Sequence, residues 1–396
     1  MTSQKFDIVI IGAGIAGASL ASRLAPGFRI AMVERESQPG YHSTGRSAAI
    51  FSEVYGSPAV RALSRATRPF LLQPPIGFAD HPLLRTCGVM FVARTDQAER
   101  LADFAAQPDV SPATRRLSVE QARALLPVLR EEYLGAALLE PAAAEIDVHA
   151  LHHGFLRQAR ANGAVLVTDC EVTGLTRTDG LWNIETPARR LTAPIVVNAA
   201  GAWADELARL AGVAPVGIEP RRRTALIVDA PAAEAIDHWP MTVDIDEEFY
   251  LKPDAGRLLI SPADETPVEP CDCQPEEYDV ALAIHRVEQA TTLEIRRVQN
   301  KWAGLRSFAP DRNPVIGFDP AASGFFWLAG QGGYGIQTSF GSAELAAALL
   351  AGGPVPASLA DTGLDPMDVT PGRFVDRAGS SEAGKLLAGC TSGDWE

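Results

Sequence analysis

The sequence predicts an α/β fold in two parts, a nucleotide-binding domain and a discontinuous, β-rich (α+β) second domain. Three observations carry this expectation. Residues 6–36 alternate strand, glycine-rich loop, helix and strand. The same texture returns at 148–200 and again after residue 302, so the chain weaves between two bodies. A length of 396 residues exceeds what one core usually serves, and 46% hydrophobic against 21% charged residues fills two cores and excludes a disordered or collagenous chain.

The elements follow in order. Asp7 to Ile11 is a β run, a helix extends through Arg23, and Arg29 to Glu34 is a second strand. Residues 40–48 are too broken by turn formers to be regular, and they form a long loop. A helix is expected over 59–73, a strand at Gly88 to Val92, and helices over 97–106 and 118–126, the last opened by Ser118. A helix from His149 to Asn162 precedes strands at Val165 to Thr168, Glu171 to Thr176 and Ile195 to Asn198. Short strands at Thr224 to Val228, Phe249 to Lys252 and Leu258 to Ser261 accompany an amphipathic helix over 275–291. Trp302 to Arg306 and Phe325 to Leu328 add strands, Gly330 to Leu350 is expected to be helical, and a pattern-free tail follows residue 377.

Charge and composition exclude several partners. Lys+Arg 35 against Asp+Glu 49 gives −14, a field that repels nucleic acid. The five cysteines, odd in number and scattered, form no disulfide framework, which fits a reducing cytoplasmic location. No export signal and no membrane span are expected, because the longest apolar runs fall well short of about 20 residues. No metal site is expected either: Cys271-Asp-Cys273 lacks ligand spacing and reads as a surface loop, while His42, His149, His152 and His153 read as solvated or capping groups.

The chemistry concentrates in the first loop. Gly12, Gly14 and Gly17 form G-x-G-x-x-G between an apolar strand and a helix, the context that a Rossmann-type domain requires. Gly12 permits the tight turn, Gly14 admits a pyrophosphate, and Gly17 lets helix and strand approach. Glu34, about 20 residues on, is placed to accept from ribose hydroxyls. The motif itself does not separate NAD from FAD. Gly332 and Gly333 stand before an Ala-rich helix, whose N-terminal dipole suits a ligand that gathers negative charge. Gly45-Arg46-Ser47 offers donors for a loop beneath a diphosphate, and arginines at 223 and 306 suit a bidentate grip on a carboxylate.

Four further segments occur in a fixed order: the loop 40–48, Val196-Val-Asn-Ala-Ala-Gly-Ala-Trp203, Pro310-Asp-Arg-Asn-Pro-Val-Ile-Gly317 and Gly330-Gln-Gly-Gly-Tyr-Gly-Ile-Gln337. This set resembles the D-amino-acid oxidase and glycine/sarcosine oxidase superfamily of FAD enzymes across almost the whole chain. Tyr41-His-Ser-Thr-Gly-Arg-Ser-Ala-Ala49, Phe249-Tyr-Leu-Lys-Pro-Asp-Ala-Gly256, Trp302-Ala-Gly-Leu-Arg-Ser-Phe308 and Gly332-Gly-Tyr-Gly-Ile-Gln-Thr-Ser339 look like bacterial FAD-dependent D-arginine dehydrogenases. The resemblance implies a Rossmann-type FAD-binding domain from 1–80, 145–217 and 304–360, a substrate domain from 81–144 and 218–303, and a C-terminal extension over 361–396. It implies FAD contacts at Gly12, Gly14, Gly17, Glu34, Arg35, Ser43, Gly45, Arg46, Ser47, Val172, Ala200, Gly201 and Trp203, and at Gly332, Gly333, Tyr334, Gly335, Ile336 and Gln337. Arg223, Arg306, Tyr55 and Tyr250 match positions that hold a substrate carboxylate, the two arginines converging from different domains. Ile50, Ser52, Met241, Val243, Gly333 and Gln337 border the substrate.

Two departures shape the expected specificity. Ile50 stands where the D-arginine enzymes tend to carry a histidine, and Arg85 to Met90 contains no acid to pair a guanidinium. A buried, unpaired cation is costly. The expected activity is oxidation of a D-amino acid to an imino acid and then a 2-oxo acid, with apolar or uncharged side chains ahead of D-arginine. Electrons would pass to a quinone, a dye or O2. The alternatives are an N-substituted amino acid or secondary amine, or a 2-hydroxy acid, at the same site. From another class comes a disabled flavoprotein serving as a binding or electron-relay subunit.

Overall fold

The computed structural model describes residues 4–231 and 235–377, so the expected tail after 377 lies outside the described residues. Ile8–Ile11 and Ile30–Val33 are buried on both faces, as strands of a covered parallel sheet must be. They lie in a six-stranded sheet of order Val165–Val167, Ile30–Val33, Ile8–Ile11, Ile195–Asn198, Phe325–Ala329 and Val315–Phe318, parallel except at the last strand. Alternate residues serve opposite cores. Ile8, Ile10, Ile30 and Met32 pack with the helices Ile15–Leu24, Val148–Ala161 and Ser339–Leu350, while Val9, Ile11, Ala31 and Val33 pack with the meander Gly174–Thr178, Leu181–Glu185 and Arg190–Ala193. Leu364 and Val369 join the first of these cores, so the chain just past residue 360 packs on this domain.

The second sheet has nine strands on one path, running Gln331–Gly332, Val298–Phe308, Glu219–Val228, Arg257–Ser261, Tyr250–Asp254, Met241–Asp244, Val89–Ala93, Ala136–Glu140 and Arg115–Leu117, with Thr266–Pro267 alongside as a tenth. One face packs on the helices Val119–Leu125 and Glu277–Ala290 through Met90, Val92, Leu226, Val228, Leu251, Leu258 and Ile260. The alternate residues Val89, Phe91, Ala225, Tyr250 and Leu259 face the other way, on the side of the cavity described below. Strand Val298–Phe308 runs unbroken through residue 304, where the sequence suggests a boundary.

The helix expected from Gly330 begins only at Ser339, because Gly330 and Gly332 adopt positive φ in a turn. The strand expected over 171–176 starts at Gly174. Strands Met241–Asp244 and Ala136–Glu140 are not evident in the sequence, although both build the cavity side of the second sheet.

Candidate active site

Two hollows meet along one seam. The outer one lies at the glycine turn. Gly12 holds φ +102°, and a Cβ there would sit 2.3 Å from the Ala199 carbonyl oxygen; a Cβ on Gly17 would sit 1.9 Å from the Gly12 carbonyl oxygen. Those two glycines make the turn, and Gly17 is packed within it. Gly14 is the N-cap of helix Ile15–Leu24 without any side-chain cap, so the positive end of the helix opens into the hollow. Glu34, Arg35, Ser43, Val172, Ala200, Gly201 and Trp203 line the same space. The Glu34 carboxylate accepts from the Ala13 N–H at 2.9 Å and the Glu36 N–H at 3.0 Å, and the Arg35 guanidinium stacks 3.9 Å from the Trp203 ring centre.

The inner cavity lies between the glycine turn and the open face of the ten-stranded sheet. Gly14, Ser43, Thr44, Ala199 and Gly201 line both hollows, making one continuous channel. Ser47, Ile50, Ser52, Gly332, Gly333, Gly335, Ile336 and Gln337 reach its wall, as do Tyr55, Arg223, Tyr250, Arg306, Met241 and Val243. Gly45 and Tyr334 are not on the wall. The Gly45 N–H closes a turn on the Gly40 carbonyl, and Tyr334 is buried edge-on to Tyr55. Arg46 also lines this cavity; its guanidinium donates to the carbonyls of Cys273 and Ala303 and pairs with Asp272, tying the loop to the strand Val298–Phe308 and to residues 272–273. The Ser43 hydroxyl adds a 2.7 Å bond to the Leu305 carbonyl.

The two arginines come from one sheet, correcting the expectation of separate domains. Arg221 pairs opposite Arg306 and Arg223 opposite Gly304, so Arg223 and Arg306 are diagonal neighbours on the cavity face. Arg222 points to the opposite face, where it pairs with Asp279 at 2.9 Å and with Glu276. Glu265 joins the cluster from behind, accepting from Arg306 at 2.8 Å, Arg223 at 3.1 Å and Arg312 at 3.0 Å. Burial pushes its carboxyl up, but the three guanidinium groups prevail and hold it below the usual range. Arg306 also donates to the Tyr55 hydroxyl at 3.0 Å, which donates to Glu247 at 3.1 Å. Burial raises the Tyr55 phenol, which therefore stays protonated.

Glu247 and Glu248, just before Tyr250, are the acids that the sequence puts within reach of the pocket. Glu247 lies on the cavity wall, held at φ +56° in the turn before Tyr250, whereas Glu248 turns away to Arg94. Sequence reasoning missed Glu265, Glu140 and Thr44; the Thr44 hydroxyl accepts from the Ile15 N–H at 3.0 Å. Isolated acids have no signature in a single sequence, although Glu247 and Glu248 stand close enough to Tyr250 to invite attention. His152, expected to be solvated or capping, is buried; its Nε2 contacts the Ala13 carbonyl at 2.9 Å, and burial lowers its pKa to about 4. Among the described residues no group of His, Cys, Asp and Glu is placed to hold a metal, and no helix is long and apolar enough to cross a membrane.

A helix N-terminus open to the hollow, the Glu34 carboxylate beside it and a channel leading to an arginine-lined cavity fit one extended dinucleotide. The family model described as DAO, FAD dependent oxidoreductase, matches residues 7–349, and the chain belongs to that family, with FAD as its cofactor. The chain is 26% identical over 365 residues to glycine oxidase of Pseudomonas putida, covering 87% of this chain and 94% of that protein. It is 25% identical to mitochondrial dimethylglycine dehydrogenase of Rattus norvegicus, covering 84% of this chain but only 41% of the relative's length. In fold it is similar to L-proline dehydrogenase from P. horikoshii, with a TM-score of 0.80, 23% identity and coverage of 95% and 99% of the two chains. Iminodiacetate oxidase from Chelativorans gives a TM-score of 0.74 at 22% identity, with coverage of 88% and 96%.

Proposed function

We propose that this protein oxidises the carbon–nitrogen bond of an amino acid, most simply a D-amino acid, to an imino acid that water hydrolyses to a 2-oxo acid. One observation carries the reading: Arg223 and Arg306 stand diagonally on the cavity face, with Tyr55 and Tyr250 beside them and an apolar wall beyond. Two planar cations with Glu265 fixed behind them suit a carboxylate, and they leave the rest of the ligand against Ile50, Val89, Phe91, Met241 and Val243.

FAD would supply the hydride acceptor when bound; Gly12, Gly14, Glu34 and Ser43 would hold its dinucleotide and residues of the segment 332–337 its ring. The residues of this chain do the positioning. Arg223 and Arg306 fix the carboxylate, Tyr55 steadies Arg306 by accepting from its guanidinium, and the apolar wall excludes water and aims the α-carbon. No protein nucleophile is needed.

The apolar wall supports a preference for apolar or uncharged side chains over D-arginine, despite the strings shared with D-arginine dehydrogenases. Glu247 is a cavity acid, yet its carboxylate is engaged by Tyr55 and lies 3.8 Å from Arg223 and 4.0 Å from Arg306, at the carboxylate end. A second reading, oxidation of an N-substituted amino acid, is supported by the dimethylglycine dehydrogenase likeness, because the same clamp serves either nitrogen. An anaerobic panel of D- and L-amino acids, N-methyl amino acids and 2-hydroxy acids tests both by bleaching of the flavin. Fastest reduction by D-leucine, D-methionine or D-phenylalanine is expected. Fastest reduction by D-arginine overturns the side-chain preference, and reduction by N-methyl amino acids alone moves the substrate to the second reading. Quinone, dye and O2 as reoxidants then distinguish dehydrogenase from oxidase.

A further inference from the structure

We propose that Glu140, acting through the Ser52 hydroxyl, accepts the proton that the substrate nitrogen must lose, an inference that rests on the amine-oxidation reading above. Glu140 ends the strand Ala136–Glu140, pairs opposite Val89 and is 2% exposed. It is not on the cavity wall, whereas Ser52 is. The Ser52 hydroxyl donates to Glu140 Oε2 at 2.6 Å, and the Glu53 N–H donates to Oε1 at 2.9 Å. Gln337, also on the wall, accepts from the Ser52 N–H at 3.2 Å and donates to Ser64 at 3.0 Å, so the serine is held from both sides.

With its one hydrogen committed to Glu140 and one lone pair taken by a long, 3.4 Å bond from the Val54 N–H, Ser52 has one lone pair left to offer the cavity, which makes it an acceptor for an N–H. The step balances without electron transfer. An ammonium proton passes to Ser52 Oγ as the serine proton passes to Glu140 Oε2, leaving a neutral amine, an intact serine and a carboxylic acid. The charged groups facing Glu140 are Glu53 and Arg68, and these pair with each other at 2.8 Å. Among the described residues no cation pairs with Glu140. Burial, reinforced by Glu53 and opposed by its hydrogen bonds, raises its pKa to about 7, a value matched to base catalysis at neutral pH. Glu140 touches no substrate and is thus a positioning and relay residue.

The test compares FAD-loaded wild type with Glu140→Gln and Ser52→Ala. Anaerobic flavin reduction at saturating amino acid is followed across pH, and infrared difference titration follows the Glu140 carboxyl independently of turnover. The wild-type rate is expected to fall in acid with a midpoint of about 7, and the carboxyl band to titrate at the same pH. Glu140→Gln should remove both the limb and the band and slow reduction by about ten-fold or more. Ser52→Ala should remove or displace the limb while the band still titrates. An acid limb that survives in Glu140→Gln at its wild-type pH overturns the relay alone, as does a Ser52→Ala profile identical to wild type. A holoenzyme that no amine reduces overturns the amine reading and the relay together.

Discussion

In the six-stranded sheet both faces are dry: Ile8 and Ile10 pack beneath helices, while Val9 and Ile11 pack on the meander. In the ten-stranded sheet only one face is sealed by helices, and the other presents Arg223, Tyr250, Met241 and Arg306 to the cavity. The first sheet is equipped to hold its ligand with backbone, at a turn where Gly12 and Gly17 leave no room for a Cβ. The second is equipped to hold its ligand with side chains, whose direction is set by strand register. A change in the first region should therefore act on whether FAD is present at all, and a change in the second on what the loaded enzyme does.

The largest effect that sharpens this contrast belongs to Gly14. A Cβ there meets only the Thr44 hydroxyl, at 3.2 Å, so the turn survives a side chain while the channel does not. Gly14→Leu should fold, with wild-type far-ultraviolet circular dichroism, and purify colourless. Stoichiometric FAD in that variant would show that the pyrophosphate passes elsewhere.

Next comes the pair Arg306 and Arg222, two buried arginines on neighbouring strands that face opposite sides. Arg306→Met should retain FAD and lower kcat/KM by at least about 100-fold, on the order of 3 kcal/mol of transition-state binding. Arg222→Met strands Asp279 in the helix-covered core, so it should cost about 3 to 5 kcal/mol of stability and leave the kinetics of the folded fraction unchanged. The contrast between faces breaks if urea unfolding and kinetics report the reverse assignment.

How much was legible follows from the same difference. The glycine turn, its helix and Glu34 are contiguous, so their geometry is encoded within about 30 residues. Arg223 was readable as an arginine among three, but only the register Arg223↔Gly304 decides which of them faces the cavity. Glu265 and Glu140 act through partners 41 and 88 residues away, and nothing local marks them. The strand Met241–Asp244 is four residues long and followed by a run of acids, too short for alternation to declare itself.

A smaller effect is expected at Gly333, where the two regions touch. Its Cβ would lie 2.1 Å from Arg306 Nε, and the guanidinium, held by Glu265 and Tyr55, is the group that must yield. Gly333→Ala should raise KM for the amino acid by about ten-fold, or about 1.4 kcal/mol, with FAD content and Tm near wild type. Loss of FAD instead would assign Gly333 to the cofactor side alone.

The smallest effect separates strain that serves the site from strain that does not. Ala49 and Ala255 both hold left-handed backbone, at φ +47° and +48°. Ala255 lies in the turn between strands Tyr250–Asp254 and Arg257–Ser261, away from the cavity, whereas Ala49 lines it and its carbonyl accepts from the Ile146 N–H. A left-handed alanine costs about 1 to 2 kcal/mol relative to a relaxed one, and glycine relieves that at an entropic cost of roughly 0.5 to 1 kcal/mol. Ala255→Gly should thus gain between nothing and about 1.5 kcal/mol, with unchanged kinetics. Ala49→Gly should gain no more in stability, and it should slow turnover by about two- to five-fold, because the freed loop no longer fixes Ile50 and Ser52 against the substrate. Equal kinetic behaviour of the two variants would mean that the left-handed turn at Ala49 serves the fold alone.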